Sequence, residues 1–161
     1  MFALRDTLKW KGRVFLEKKA FASYVPQTER GKDLFDQYHL KRFSQWLSKE
    51  ALDESLGILD LLDRVSINQL PDLTSALDVG AKNWSYLAAL RVWLEKSQVI
   101  NHSPMPYYGV EIDAYRMYQN LTTRFEVAQY FCRKLSDKEV SFVYQPQDIR
   151  MFFKKVSLVT W

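Results

Sequence analysis

The stretch TSALDVGAKNWSYL, Thr74–Leu87, decides how the rest of the chain is read. It opens on a short apolar run, as in a strand buried on both faces. The run ends in Asp78-Val79-Gly80. A glycine there permits positive φ and lets another group come close to the backbone. The segment WSYLAALRVWLEKS has helical period, with Leu87, Leu90 and Leu94 on one side, and its helix is expected to start near Asn83 to Ser85. Strand, glycine turn and helix together make one α/β unit.

Downstream, the same alternation repeats. NHSPMP carries two prolines and reads as a loop, and YYGVEI as a second strand. AYRMYQNLTTRFEVAQYFCRKL reads as one long helix with Leu121, Phe125, Ala128 and Leu135 on a face. EVSFVYQ is a third strand, PQDIRMFFK allows a short helix, and VSLVTW is a fourth strand. Strands alternating with helices imply right-handed crossovers and a mostly parallel sheet. The expected class is therefore α/β: an open, Rossmann-like, mostly parallel sheet of about four strands over residues 71–161.

Upstream, residues 1–70 read as a helical extension or lid. In KDLFDQYHLKRFSQWLSKE, the residues Leu34, Phe35, Tyr38, Phe43, Trp46 and Leu47 recur near helical spacing. In ALDESLGILDLLDRV, Leu52, Leu56, Leu59 and Leu62 do the same, with acidic residues facing away. Pro26 and Gly31 mark a break before them. In the first twenty-five residues, Phe2, Leu8, Val14 and Phe15 are the candidate anchors of a short helix.

The bulk numbers set bounds. At 161 residues, one domain is expected, with 47% apolar and 26% charged residues, ordinary for a globular chain. Five Trp, nine Tyr and ten Phe must mostly be buried or at an interface. The net charge of +4 is uneven. Residues 1–42 hold ten Lys/Arg against five Asp/Glu, residues 43–80 hold two against seven, and residues 81–161 hold eleven against seven. The basic first segment motivates nucleic acid as a possible partner, although a solvated surface with spread charges explains it as well. The single cysteine, Cys132, excludes an internal disulfide and reads as a small buried residue. With His39 and His102 it gives no metal-ligand spacing, so no metal is expected. No apolar run long enough for a membrane span is present, and MFALRDTLKWKGR has no signal-peptide core. A cytoplasmic protein without a membrane partner is the expectation.

In open parallel sheets, ligands bind outside the carboxyl ends of the strands, where the strand order reverses. Here the first strand ends at Asp78 and Gly80, the second at Glu111 with Asp113 beyond it, and the third is followed by Asp148. A carboxylate after the second strand can accept from a ribose diol, and one after the third from an exocyclic amine. The bland alternative is that Asp-x-Gly is only a turn, and that Glu111, Asp113 and Asp148 cap helices.

Taken together, ALDVGAKNW, YYGVEIDAYRM and VYQPQDIRMF resemble the class I S-adenosylmethionine-dependent methyltransferase family. The resemblance covers roughly residues 72–161, the first half of such a domain. It implies that Asp78 and Gly80 border the methionine part of S-adenosylmethionine, that Glu111 binds the ribose, and that Asp148 lies by the adenine. Lys82 and Asn83 fall in the loop, where Lys82 either pairs with the cofactor carboxylate or fills the pocket. The family's second and third glycines are replaced here by Lys82 and Trp84. The family sheet has about seven strands, so the chain is expected to be a fragment or to use a partner chain, a second copy included, along VSLVTW. No catalytic residue and no acceptor substrate are named by these residues. The rival is a non-catalytic interaction module with a degenerate methyltransferase fold. A nicotinamide dinucleotide site is disfavoured, because one glycine stands where G-x-G-x-x-G is needed and Glu111 is too far along.

Overall fold

The computed structural model describes residues 24–65, 73–97, 104–117 and 122–160. The expectations for Phe2, Leu8, Val14, Phe15, His102, Leu121 and Trp161 lie outside them. Helix α1, Glu29–Gln37, begins at Thr28, whose side chain accepts from Gly31 N at 3.0 Å. It ends where His39 adopts a left-handed φ of 52°, followed by a 3-10 turn, Leu40–Phe43. Helix α2, Lys49–Leu62, is capped by Ser48, which accepts from Ala51 N at 3.1 Å. The single amphipathic pattern over residues 32–50 is thus split at Tyr38–His39. Tyr38 is buried there, and its hydroxyl donates to Asp63 at 2.6 Å, which ties the break to the end of α2.

The α/β part comprises, in chain order, β1 (Ala76–Val79), α3 (Leu87–Ser97), β2 (Met105–Val110), α4 (Arg124–Leu135), β3 (Val140–Gln145), a 3-10 turn (Ile149–Met151) and β4 (Leu158–Thr160). The four strands form one parallel sheet in the order β3-β2-β1-β4. The fold is an open, Rossmann-like α/β sheet with helices amino-terminal to it. The order reverses at β1, with β2 on one side and β4 on the other, so the carboxyl end of β1 is the switch point.

Register fixes which side chains share a face. Ala76 and Asp78 stand beside Tyr107 and Gly109, which stand beside Phe142 and Tyr144. These alternate residues are buried, whereas Tyr108, Ser141, Val143 and Gln145 on the opposite face are half-buried. The buried face meets the helical layer: α4 packs on β3, and α3 packs on α2 and α4. One apolar core joins Leu34 and Leu52 of the leading helices to Leu90, Tyr107 and Tyr144. The opposite face is crossed by the β3–β4 connection, where Phe152 lies 5.4 Å from the Tyr108 ring and Lys154 Nζ 4.7 Å above it. Strand β4 is an edge, and Val159 on it is exposed.

Two helix boundaries differ from the periodic reading. The long helix expected from Ala114 starts only at Arg124. Ala114 and Tyr115 lie in a turn, Met117 makes an isolated antiparallel bridge to Thr123, and Phe125 N donates back to Ala114 O at 2.8 Å. Thr123 and Glu126 form a capping box that starts α4, with Thr123 Oγ1 accepting from Glu126 N at 3.2 Å and Thr123 N donating to Glu126 at 2.7 Å. Asp113 therefore caps no helix at Ala114. Helix α3 begins at Leu87 rather than at Asn83–Ser85, because Lys82 and Trp84 take left-handed φ values of 51° and 53°. Among the described residues, no helix is long and apolar enough to cross a membrane.

Candidate functional site

The loop after β1 is built on alternating left-handed residues: Gly80 (φ 73°), Lys82 (φ 51°) and Trp84 (φ 53°). Two of these three positions carry side chains, Lys82 and Trp84. A left-handed non-glycine residue costs about 1–2 kcal/mol, so the loop must be held by its partners.

The partners come from the neighbouring strands. Gly80 N and Ala81 N both donate to Val110 O, at 2.9 and 3.1 Å, which ties the turn to the end of β2. Lys82 N donates to Glu111 Oε2 at 2.9 Å, and the Tyr144 hydroxyl donates to Lys82 O. The other oxygen of Glu111 accepts from Asp113 N at 2.8 Å, and Arg124 stands 4.0 Å from it. Glu111 is almost fully buried, and each of its carboxylate oxygens accepts one backbone N–H among the described residues.

Trp84 turns inward. Its side chain is fully buried on the helix-covered face of the sheet, with ring centroids 5.8–6.3 Å from Phe142, Tyr144 and Tyr107. Gly109 leaves room for it, since a β-carbon there would lie 2.7 Å from the indole. The Lys82 side chain is exposed, and its ammonium has no partner among the described residues. Above Gly80 there is open space among the described residues: apart from its chain neighbours, none of them comes within 4 Å of where a β-carbon would stand. Neither bulky replacement therefore occupies the ground over Gly80.

Asp78 is 2% exposed, and its carboxylate points into the fold. Trp84 Nε1 donates to it at 2.8 Å, the Tyr86 hydroxyl at 2.6 Å and Thr160 Oγ1 at 2.6 Å. Burial pushes its pKa up, against the pull of those three donors. Tyr86 is raised too, by burial and by the Asp78 charge. This cluster joins β1, the loop and edge strand β4.

Asp148 caps the 3-10 turn after β3, accepting from Arg150 N at 2.9 Å and from the Arg150 guanidinium at 2.6 Å. Those bonds hold its pKa down to about 2. The structure thus brings Gly80, Lys82 and Glu111 together by hydrogen bonds. It does not join Asp78 or Asp148 to Glu111, because each spends its carboxylate on other partners. Asn83 is buried in the loop between the two left-handed residues.

Sequence reasoning misses Tyr86, Tyr144 and Thr160. Tyr144 has a signal, inward alternation in β3, but its reach to Lys82, 62 positions away, has none. A second acidic group, Glu95, Asp137 and Glu139, has the proximity of a cation site. The buried Arg91 guanidinium already fills it, 2.9 Å from Glu95 and 3.3 Å from Glu139, with a further ion pair to Asp137. No protein-family model matches the chain, and no curated protein matches its sequence.

Proposed function

We propose that this chain is an S-adenosylmethionine-binding, methyltransferase-like protein that receives the adenosyl group at the switch point, over the carboxyl ends of β1 and β2. One observation carries the proposal. The loop after β1 holds left-handed residues at 80, 82 and 84, and its Lys82 amide is bonded to Glu111 at the end of the next strand. Backbone strain maintained at a strand end of an open parallel sheet is expected where a ligand is held.

In this reading the Glu111 carboxylate accepts the two ribose hydroxyls. Bonds to a charged acceptor are worth about 1.5–3 kcal/mol each. The exposed Lys82 ammonium pairs with the carboxylate at the other end of the cofactor. Asp78 acts through the loop, fixing Trp84 and Tyr86, and Asp148 holds the turn that borders the adenine side. When bound, the cofactor supplies an electrophilic methyl group. The protein's own part is to orient it and to exclude water. The methyl acceptor and a catalytic base have no counterpart among these residues.

The test is calorimetric titration with S-adenosylhomocysteine, the demethylated product. Micromolar binding is expected for the native chain. Glu111→Gln, which keeps one acceptor for the Lys82 amide but removes the charge, should weaken it at least tenfold. Native protein that takes up no heat at millimolar ligand, or Glu111→Gln with unchanged affinity, overturns the proposal.

A second reading is favoured by Val159, exposed on the three-residue edge strand β4: a second copy of the chain pairs with that edge. Light scattering across a hundredfold concentration range would then show a dimer, and a monomer throughout would exclude it.

A further inference from the structure

The sheet has two edge strands, β3 and β4, and their free sides differ. Met105 N donates to Glu139 O and Glu111 N to Gln145 O, so the odd-numbered residues of β3 turn their peptide groups to β2. The N–H groups of Val140, Phe142 and Tyr144 therefore point away from the sheet. All three are engaged by side chains of the same chain. Asp137 Oδ1 accepts from Val140 N at 3.0 Å, Ser136 Oγ accepts from Phe142 N at 3.0 Å, and the Tyr144 N–H meets the Cys132 sulfur. Asp137 N in turn donates to Val140 O at 3.0 Å. The end of α4 and the turn after it fill the places where another strand would bond.

The β4 edge has no such cover. Gly80 N donates to Val110 O, which turns the even-numbered residues of β1 to β2 and leaves Leu77 to face β4. With Leu77 in register with Val159, the residues that bond back to β1 are Leu158 and Thr160, and the peptide groups of Val159 turn outward. Ser157, just before the strand, is closed off, with its N–H and its hydroxyl both on Ser75 O, at 3.0 and 2.7 Å. Val159 is exposed, and Leu158–Thr160 carries neither of the usual edge guards, a charge or a proline.

We infer that self-association uses one edge only: β4 pairs antiparallel with β4 of a second copy about a two-fold axis at Val159, while Ser136 and Asp137 close β3, so that growth stops at two chains. The inference rests on the second reading above, which it extends with a register and a limit. A second copy is the occupant because an edge with one outward-facing residue fits itself. About that axis each Val159 donates to and accepts from the other, their side chains meet on the open face, and Leu158 stands across from Thr160. Residues 156–160 carry no charge, so the pairing brings no like charges together. Such an isologous contact uses up the β4 edge of both copies and leaves the guarded β3 edges outside, whereas a second open edge would let chains add without end.

The experiment combines light scattering, cross-linking and hydrogen exchange on the full chain. Scattering should rise to the mass of two copies and stop there. In Val159→Cys the paired α-carbons would lie about 5.5 Å apart, inside the range a disulfide spans, so oxidation with copper phenanthroline should cross-link most of the chains. The native chain, whose Cys132 is buried, should not cross-link. Val159→Pro removes the outward N–H and should be a monomer with native circular dichroism; Val159→Lys should behave likewise and covers the case in which the proline variant does not fold. On dilution, exchange of the Val159 amide should speed up about tenfold or more, and that of Val140 and Phe142 less than about twofold. Mass that climbs past two copies, or exchange at Val140 and Phe142 that follows concentration, overturns the one-edge inference; if Val159 is also protected, pairing through β4 still stands. A dimer whose Val159→Cys form does not cross-link overturns the axis at Val159. A monomer at every concentration overturns both this inference and the second reading, and leaves the edge to a strand of another protein.

Discussion

Gly109→Ala tests the packing on which the loop depends. Gly109 sits in β2 beside Asp78 of β1 and Tyr144 of β3. A β-carbon there would lie 2.7 Å from Cη2 and Cζ2 of Trp84 and 2.9 Å from Cε2. Ordinary contact begins near 3.4 Å, so the ring has to move by several tenths of an ångström. It has no room to do so: Trp84 is fully buried, walled by Tyr107, Phe142 and Tyr144, and tethered to Asp78 at 2.8 Å. Overpacking a core costs about 1–3 kcal/mol, and losing a hydrogen bond to a charged acceptor about 1.5–3 kcal/mol more. Replacing glycine in a strand returns about 0.5–1 kcal/mol. The net expectation is a loss of about 2–5 kcal/mol, read from urea unfolding monitored by circular dichroism. In a Trp84→Phe background the outer indole atoms are gone, and the same substitution should cost less than about 1 kcal/mol, a coupling typical of residues in contact. Gly109→Ala that unfolds within about 0.5 kcal/mol of the native chain would refute this account of Trp84.

The carboxylates give two further expected outcomes. Burial raises the folded pKa of Asp78 above its unfolded value, so the native state binds the extra proton between the two, and stability falls as pH rises through that window. Relative to Asp78→Asn, the native chain should therefore gain stability as pH is lowered from about 7 through the folded pKa, levelling off below the unfolded value near 4; unfolding curves that stay parallel across that range would contradict it. Arg150 holds Asp148 down to about 2, so a carbon-detected titration should find that value in the native chain and return it to about 4 in Arg150→Ala.

The alternation of β1 to β4 with α3 and α4 is legible because buried parallel strands are continuous apolar runs and their connecting helices are amphipathic. Boundaries fail where a side chain overrides period. The apolar pattern runs unbroken through Ala114 and Phe125, yet Thr123 and Glu126 start a new helix between them, a capping box present in the sequence as TTRFE. At Tyr38–His39 the break depends on a bond to Asp63, 25 positions away, which no local pattern announces. In the site, Gly80 and Glu111 are readable from strand ends. Asp78 is readable as a position, but not as a buried hub, because Thr160 reaches it only once β4 has crossed over to pair with β1, and Tyr86 only through the turn of the loop between them.

The loop itself shows why a glycine count is a poor guide to it. A glycine-rich sequence makes left-handed turns inexpensive, so the turn survives with few partners. Here two of the three positions carry side chains, and each left-handed residue has acquired compensation. Trp84 buries its ring in the core and donates to Asp78. Lys82 is fixed through its peptide groups by Glu111, at the end of β2, and by Tyr144 of β3. Those bonds run from the loop after β1 to β2 and β3, so the shape of the loop is set by the sheet rather than by its own composition. The same arrangement leaves the Lys82 ammonium and the Asn83 amide without a hydrogen-bond partner among the described residues.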